Sequence, residues 1–309
     1  MYLPKSLASA AVALAAIALT VVQGNPLPPM KRDGFVAAAT AAAAELPALV
    51  KRSSAGWNDW DCKPSAAHPL PLIMVHGLTL NGIDNWLYMA PRFQLKGFCV
   101  FSLSYGQMNN VPIIYGLDKM ENSAQQFGDF VDKVLAATGA SQVDLLGHSQ
   151  GSLMPRYYMK FLGGASKIHK FAAFGAIQYG TDLLGLANLM ETFGLYDPIK
   201  KQFDKACLSC FQLLRNSTFL QNLNAGGDTV PGVEYLMITS KYDELVTPYK
   251  SGFLRDNNPK VRNHVLQDWC SYDLAEHLIQ ATDPIVFNAV LAFLDPTVDQ
   301  TIDCLDALH

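Results

Sequence analysis

Val143-Asp144-Leu145-Leu146-Gly147-His148-Ser149-Gln150-Gly151-Ser152-Leu153-Met154-Pro155-Arg156-Tyr157-Tyr158-Met159-Lys160 is the stretch from which the rest of the chain is read. An apolar run leads into a serine with glycine two residues to either side, and a helix-like segment from Ser152 to Lys160 follows. This is the pattern of a nucleophile elbow, a strand-to-helix turn that lifts a serine hydroxyl above the edge of a sheet. The turn forces the serine into a strained backbone conformation, and side chains at 147 and 151 would collide inside it.

Upstream, Pro69 to Val75 is a short apolar run suited to a strand buried on both faces, ending at His76-Gly77-Leu78-Thr79. A glycine there lets backbone approach a ligand, so the N–H groups of Leu78 and of Gln150, the residue after the serine, are the candidate oxyanion donors. Trp86 to Lys96 reads as a helix stopping at Gly97, Phe98 to Leu103 as a buried strand, and Gln125 to Ala137 as a helix closed by Gly139. Phe171 to Ile177, Val233 to Thr239 and Val265-Leu266 extend the set of strands, and Pro284 to Phe293 is a final helix. Strands alternating with helices predict a mostly parallel central sheet with helices on both faces. Trp57 and Trp60 are expected packing anchors. The residues from Thr181 to Leu223 interrupt the alternation. Leu183, Leu186, Met190 and Phe193 make a helical stripe there that Leu184, Leu189 and Leu195 widen, which suits either ordinary core packing or a cap over an apolar site.

A serine hydroxyl becomes a nucleophile when an imidazole takes its proton, and a carboxylate must fix that imidazole's tautomer. On this architecture the order is serine, then Asp or Glu, then His. Of the seven histidines, four follow Ser149. His169 and His264 fall at strands and His309 is the last residue, which leaves His277, ahead of the final helix. Asp243, after the strand at Val233 to Thr239, is the expected carboxylate, with Glu244 as the near alternative. Asp228 is expected to serve the Gly226-Gly227 turn, and His76 and His148 to be held in place by their motifs. No His-Glu-x-x-His, zinc-spaced Cys/His set, P-loop or dinucleotide fingerprint is present, so no metal and no cofactor is expected.

Residues 1–24 read as a secretory signal, with Lys5 ahead of the apolar run Leu7 to Val22 and small residues near Gly24. The run is alanine-rich and short of the roughly eighteen strongly apolar residues of a membrane span. Residues 25–52 hold two dibasic pairs, Lys31-Arg32 and Lys51-Arg52, which bracket Phe35-Val36 and an alanine-rich tract broken by Pro47. They suit a pro-segment removed after Arg52, the other reading being an ordered N-terminal helix. The full chain carries a net charge of −4, and losing five basic and two acidic residues makes 53–309 more acidic still. That balance argues against a nucleic-acid partner. Six cysteines, Cys62, Cys99, Cys207, Cys210, Cys270 and Cys304, read as three disulfides in an exported chain, with fifteen conceivable pairings. Asn216-Ser217-Thr218 is a glycosylation sequon.

Taken together, the chain resembles the secreted class 2 lipases, the triacylglycerol lipase family of the α/β-hydrolase superfamily. The likeness rests on Val75-His76-Gly77 with Asn85-Trp86, on Gly97-Phe98-Cys99-Val100-Phe101 with Tyr105-Gly106, and on the elbow itself. Downstream it rests on Leu223-Asn224-Ala225-Gly226-Gly227-Asp228-Thr229-Val230-Pro231-Gly232-Val233, Tyr242-Asp243-Glu244 with Thr247-Pro248-Tyr249, and Asp273-Leu274 with Glu276-His277. The resemblance implies an α/β-hydrolase fold with a helical cap or lid insertion, with Ser149, Asp243 and His277 as the triad and Leu78 and Gln150 as oxyanion donors. It further implies the pairings Cys62 with Cys99, Cys207 with Cys210, and Cys270 with Cys304. Many members carry Thr where Leu78 stands and Gly where Ser152 stands, so a hydroxyl that could assist the oxyanion is missing here unless Thr79 takes its place. The implied activity is hydrolysis of acylglycerol esters by a secreted serine lipase, the alternative being a carboxylesterase or polyester hydrolase with short-chain preference. The expected partner is a lipid or ester substrate, including one at an oil–water interface. The chain is expected to act as a monomer, with no transmembrane anchor once the signal is removed.

Overall fold

The computed structural model describes residues 57–108, 113–182, 207–299, 301–302 and 304. The expected signal, the pro-segment and the lid residues Leu183, Leu186, Met190 and Phe193 lie outside the described residues. Six parallel strands form one sheet: β1 (Leu72–Val75), β2 (Val100–Leu103), β3 (Val143–His148), β4 (Ile168–Phe174), β5 (Glu234–Thr239) and β6 (Val261–Val265). Their spatial order is β2-β1-β3-β4-β5-β6. The chain leaves β1 toward one edge and later returns to lay β3 on β1's other side, so the crevice between the ends of β1 and β3 is the topological switch point. Val75 pairs with Gly147 there, which brings the turn after β1 against the elbow.

Side-chain alternation along the strands divides the core. Leu72, Met74, Leu146, Phe174, Leu236 and Ile238 face helices α1 (Met89–Leu95) and α7 (Pro284–Leu294). Ile73, Val75, Leu145, Phe171, Tyr235 and Met237 face α2 (Met120–Thr138) and α3 (Met154–Phe161). Both sets are buried, which is why these strands read as apolar runs. Short helices α4 (Leu208–Gln212), α5 (Thr218–Asn224) and α6 (Leu266–Trp269) complete the described set. Caps set the helix ends: Gly139 closes α2 at φ 76, and Asp283 accepts from the N–H groups of Ile285 and Val286 at the start of α7. Among the described residues no helix is long and apolar enough to cross a membrane.

Several expected boundaries move. The helix expected from Gln125 starts at Met120. The strand expected at Phe171 to Ile177 is Ile168–Phe174, because Gly175, at φ 53, turns the chain away. The segment expected to be helical from Trp86 splits into a 3₁₀ turn, Asp84–Trp86, and α1. The last strand is Val261–Val265, and Leu266 already belongs to α6. This strand lies at the sheet edge and carries Arg262, Asn263 and His264, so no continuous apolar run marks it. The opposite edge strand, β2, is covered by Asn58. Its N–H donates to Val100 O at 2.9 Å, its Nδ2 to Ser102 O at 2.9 Å, and its Oδ1 accepts from Ser102 N–H at 2.8 Å. Trp57 is buried in the core and Trp60 packs 5.2 Å from Phe101, as expected of anchors.

Disulfides join Cys62 to Cys99, Cys207 to Cys210, and Cys270 to Cys304. Their sequence separations are 37, 3 and 34, so the two long loops carry most of the chain-entropy stabilisation, on the order of 3–4 kcal/mol each.

Asp228 does more than shape the Gly226-Gly227 turn. Its carboxylate accepts from Arg156 Nη2 at 3.3 Å, the Tyr179 hydroxyl at 2.8 Å and Arg255 N–H at 2.6 Å. Asp256 holds the turn instead, accepting from the N–H groups of Asp228 and Thr229. Arg156 is buried on α3, where it also donates to Asp228 O at 2.9 Å and Gln178 Oε1 at 3.0 Å. Burial lowers the Arg156 pKa, and Asp228 opposes that shift. Removing one member of such a pair strands a buried charge. Asp228→Ala is therefore expected to lower stability by about 3–5 kcal/mol, read as an earlier urea midpoint.

Candidate active site

Ser149 has φ 53, the left-handed conformation expected at an elbow. A Cβ at Gly147 would stand 2.2 Å from Gly151 O, and one at Gly151 would stand 2.0 Å from Val75 O. Backbone cannot yield to either, so both glycines are required by close approach. The 3₁₀ turn Ser149–Ser152 follows directly, one turn ahead of α3 rather than continuous with it. Its opening N–H groups, that of Gln150 among them, lack intrahelical acceptors.

The turn after β1 is fixed from beneath. Gly77 N–H donates to Asn85 Oδ1 at 2.9 Å. His76 Nε2 accepts from Tyr105 N–H at 3.2 Å, which leaves the proton on Nδ1, 2.7 Å from Gly77 O. Burial pushes His76 down to about 4 despite that bond, so the ring is a neutral strut. The Tyr105 hydroxyl donates to His76 O at 2.7 Å, and it also reaches Gln150 Oε1 at 3.0 Å. Gln150 Nε2 donates to Gly116 O at 3.0 Å. The Gln150 side chain is thereby held away from its own backbone N–H. The Leu78 side chain packs with Leu117, Leu153, Ile177, Leu245 and Val246 in an apolar cluster that reaches from this turn to the loop after β5. The Thr79 hydroxyl is spent on Leu78 O at 2.5 Å, at φ 69, and so is turned to a carbonyl.

Asp243 and His277 meet. His277 Nδ1 donates to Asp243 Oδ2 at 2.7 Å, with both side chains buried. The other carboxylate oxygen accepts from the N–H groups of Leu245 at 3.0 Å and Val246 at 2.7 Å. Glu244, the alternative, instead accepts the backbone N–H of His277 at 3.2 Å. Burial disfavours the charged imidazole, but Asp243 and then Glu244 outweigh it, and the His277 pKa is raised above its ordinary value. The ring lies 5.1 Å, centroid to centroid, from His148, the residue before Ser149. Among the described residues no hydrogen bond engages the Ser149 hydroxyl. Serine–histidine contacts of this kind are often long without substrate and tighten on binding.

His148 is more than a fixture of the motif. Its Nδ1 lies 3.0 Å from Asn85 Oδ1 and its Nε2 3.3 Å from His277 O. Burial, followed by the nearby His277, drives its pKa well down, so the neutral ring donates to one of these oxygens at a time. Sequence reading missed Gly116 and Gln280 altogether, because each acts through contacts more than thirty residues away. Asn85 and Tyr105 had a signal only in the family likeness. No group of three or more His, Cys, Asp or Glu that could hold a metal occurs among the described residues.

The chain is 29% identical over 192 residues to a triacylglycerol lipase of Pseudarthrobacter phenanthrenivorans, covering 54% of this chain and 58% of that protein. It is equally identical, over the same length, to a triacylglycerol lipase of Burkholderia plantarii, covering 54% and 51%. The chain thus spans about half the length of the curated relatives it matches. Aspergillus fumigatus lipase B superposes with a TM-score of 0.58 at 21% identity, over 76% of this chain and 54% of that one. Mature Bacillus licheniformis lipase BlEst2 gives 0.54 at 14%, over 75% and 94%. At such identities these two structures establish the shared fold alone. The family model for lipase (class 2) matches residues 69–287, and the chain belongs to that family of carboxylic ester hydrolases on the α/β-hydrolase fold.

Proposed function

We propose that this chain is an exported serine lipase that hydrolyses acylglycerol esters through an acyl-enzyme. The observation that carries the reading is the buried 2.7 Å bond from His277 to Asp243, beside a serine at φ 53 on the elbow. His277 takes the proton of Ser149, the alkoxide attacks the ester carbonyl, and the N–H groups of Leu78 and Gln150 receive the developing oxyanion. The alcohol leaves with the proton that His277 carries, and water then releases the fatty acid with the same base. Asp243 keeps the proton of the neutral imidazole on Nδ1, so that Nε2 is the basic nitrogen. Three disulfides support export, and Asn216, exposed at the turn before α5, is accessible for glycan attachment.

Ser149→Ala should lower kcat by on the order of 10⁴-fold with the fold intact by circular dichroism, and retained ester hydrolysis would refute the reading. The rate requires neutral His277, whose pKa is raised, so kcat/KM should fall on the acid side with an apparent pKa above about 6.5. The interaction of the imidazolium with Asp243 adds stability below the unfolded-state pKa and loses it as pH rises through the folded-state value. On nitrophenyl esters of increasing chain length, activity should rise beyond butyrate and rise again on an emulsion. A maximum at acetate with no response to the emulsion would favour a short-chain esterase.

A further inference from the structure

Gln280 lies outside the triad yet touches it. It is fully buried in the 3₁₀ turn Ile279–Thr282, just after His277. Its Nε2 reaches Asp243 Oδ2 at 3.3 Å, the same oxygen that accepts from His277 Nδ1. Its Oε1 accepts the N–H of Gly175, at the end of β4, at 3.0 Å. One amide therefore joins three segments: the end of a central strand, the loop bearing Asp243 and the loop bearing His277.

Gly175 explains why the join matters. A Cβ there would stand 3.0 Å from His277 Cε1, 3.2 Å from His277 Nδ1 and 3.3 Å from His148 Cδ2. The imidazole thus rests on bare backbone at φ 53, and Gln280 holds that backbone in place. The same side chain draws negative charge on Asp243 Oδ2 toward a neutral donor, in competition with the imidazole.

We propose that Gln280 is a positioning residue of the hydrolytic site, one that seats the His277 ring on Gly175 and moderates the pull of Asp243 on it. The inference rests on the proposed triad. Without the amide, Asp243 Oδ2 has His277 as its remaining side-chain donor, and the imidazolium becomes better stabilised. The other titratable groups at the ring stay constant between variants: Glu244, which accepts from the His277 backbone N–H, and the neutral His148, whose ring lies 5.1 Å away.

The test is the titration of His277, followed by NMR of selectively labelled imidazole in the substrate-free protein, together with the pH profile of kcat/KM. In Gln280→Leu the imidazole pKa and the acid limb should both move up by about half a unit or more, and kcat should fall about tenfold with KM little changed. Gln280→Glu keeps an acceptor for Gly175 N–H and adds a carboxylate beside Asp243. It should move the imidazole in the same direction, and it serves where the leucine variant does not fold. An unmoved imidazole pKa in the folded variants overturns the proposal, even if activity drops, since a purely structural role would lower activity without retuning the ring. The titration needs no turnover, so it is judged separately from the loss of activity in Ser149→Ala, which tests the lipase reading itself.

Discussion

The site depends on backbone meeting backbone with nothing between. The elbow presses its Gly151 against Val75 O at the end of β1, and its Gly147 against Gly151 O, at distances no side chain could share. That contact goes with Ser149 at φ 53 and brings the turn after β1 against the elbow. Everything else in the site is arranged around a serine whose position the sheet imposes.

Around that serine, two sets of side-chain hydrogen bonds hold the neighbouring loops. Asn85, His76, Tyr105 and Gln150 form one buried set of hydrogen bonds beneath the candidate oxyanion turn. Glu244, His148 and Gln280 form another around His277. Both sets are largely buried and tied by hydrogen bonds to more than one segment of the chain.

Reading the chain from its residues recovered the sharp turn at Ser149 and the central strands, because each leaves a local mark. Glycine spacing, doubly buried apolar runs and position relative to strands are all visible one residue at a time. The edge strand Val261–Val265 was displaced because a strand with one free side needs no continuous apolar run, and its polar Arg262-Asn263-His264 hides it. Asp228 was undervalued because its partners, Arg156, Tyr179 and Arg255, are 72, 49 and 27 residues away. Gln280 was invisible for the same reason: a lone glutamine has no signature until the fold brings Asp243 and Gly175 to its two ends.

Asn58 also has a consequence beyond its own bonds. By filling the hydrogen-bonding groups of Val100 and Ser102 along β2, it seals the one apolar margin of the sheet against a strand from another molecule. The opposite margin, β6, is polar. The sheet is thereby covered along one margin and polar along the other. The Cys62–Cys99 bridge ties the segment that carries Asn58 to the start of the strand it covers, so cover and strand are one covalent unit.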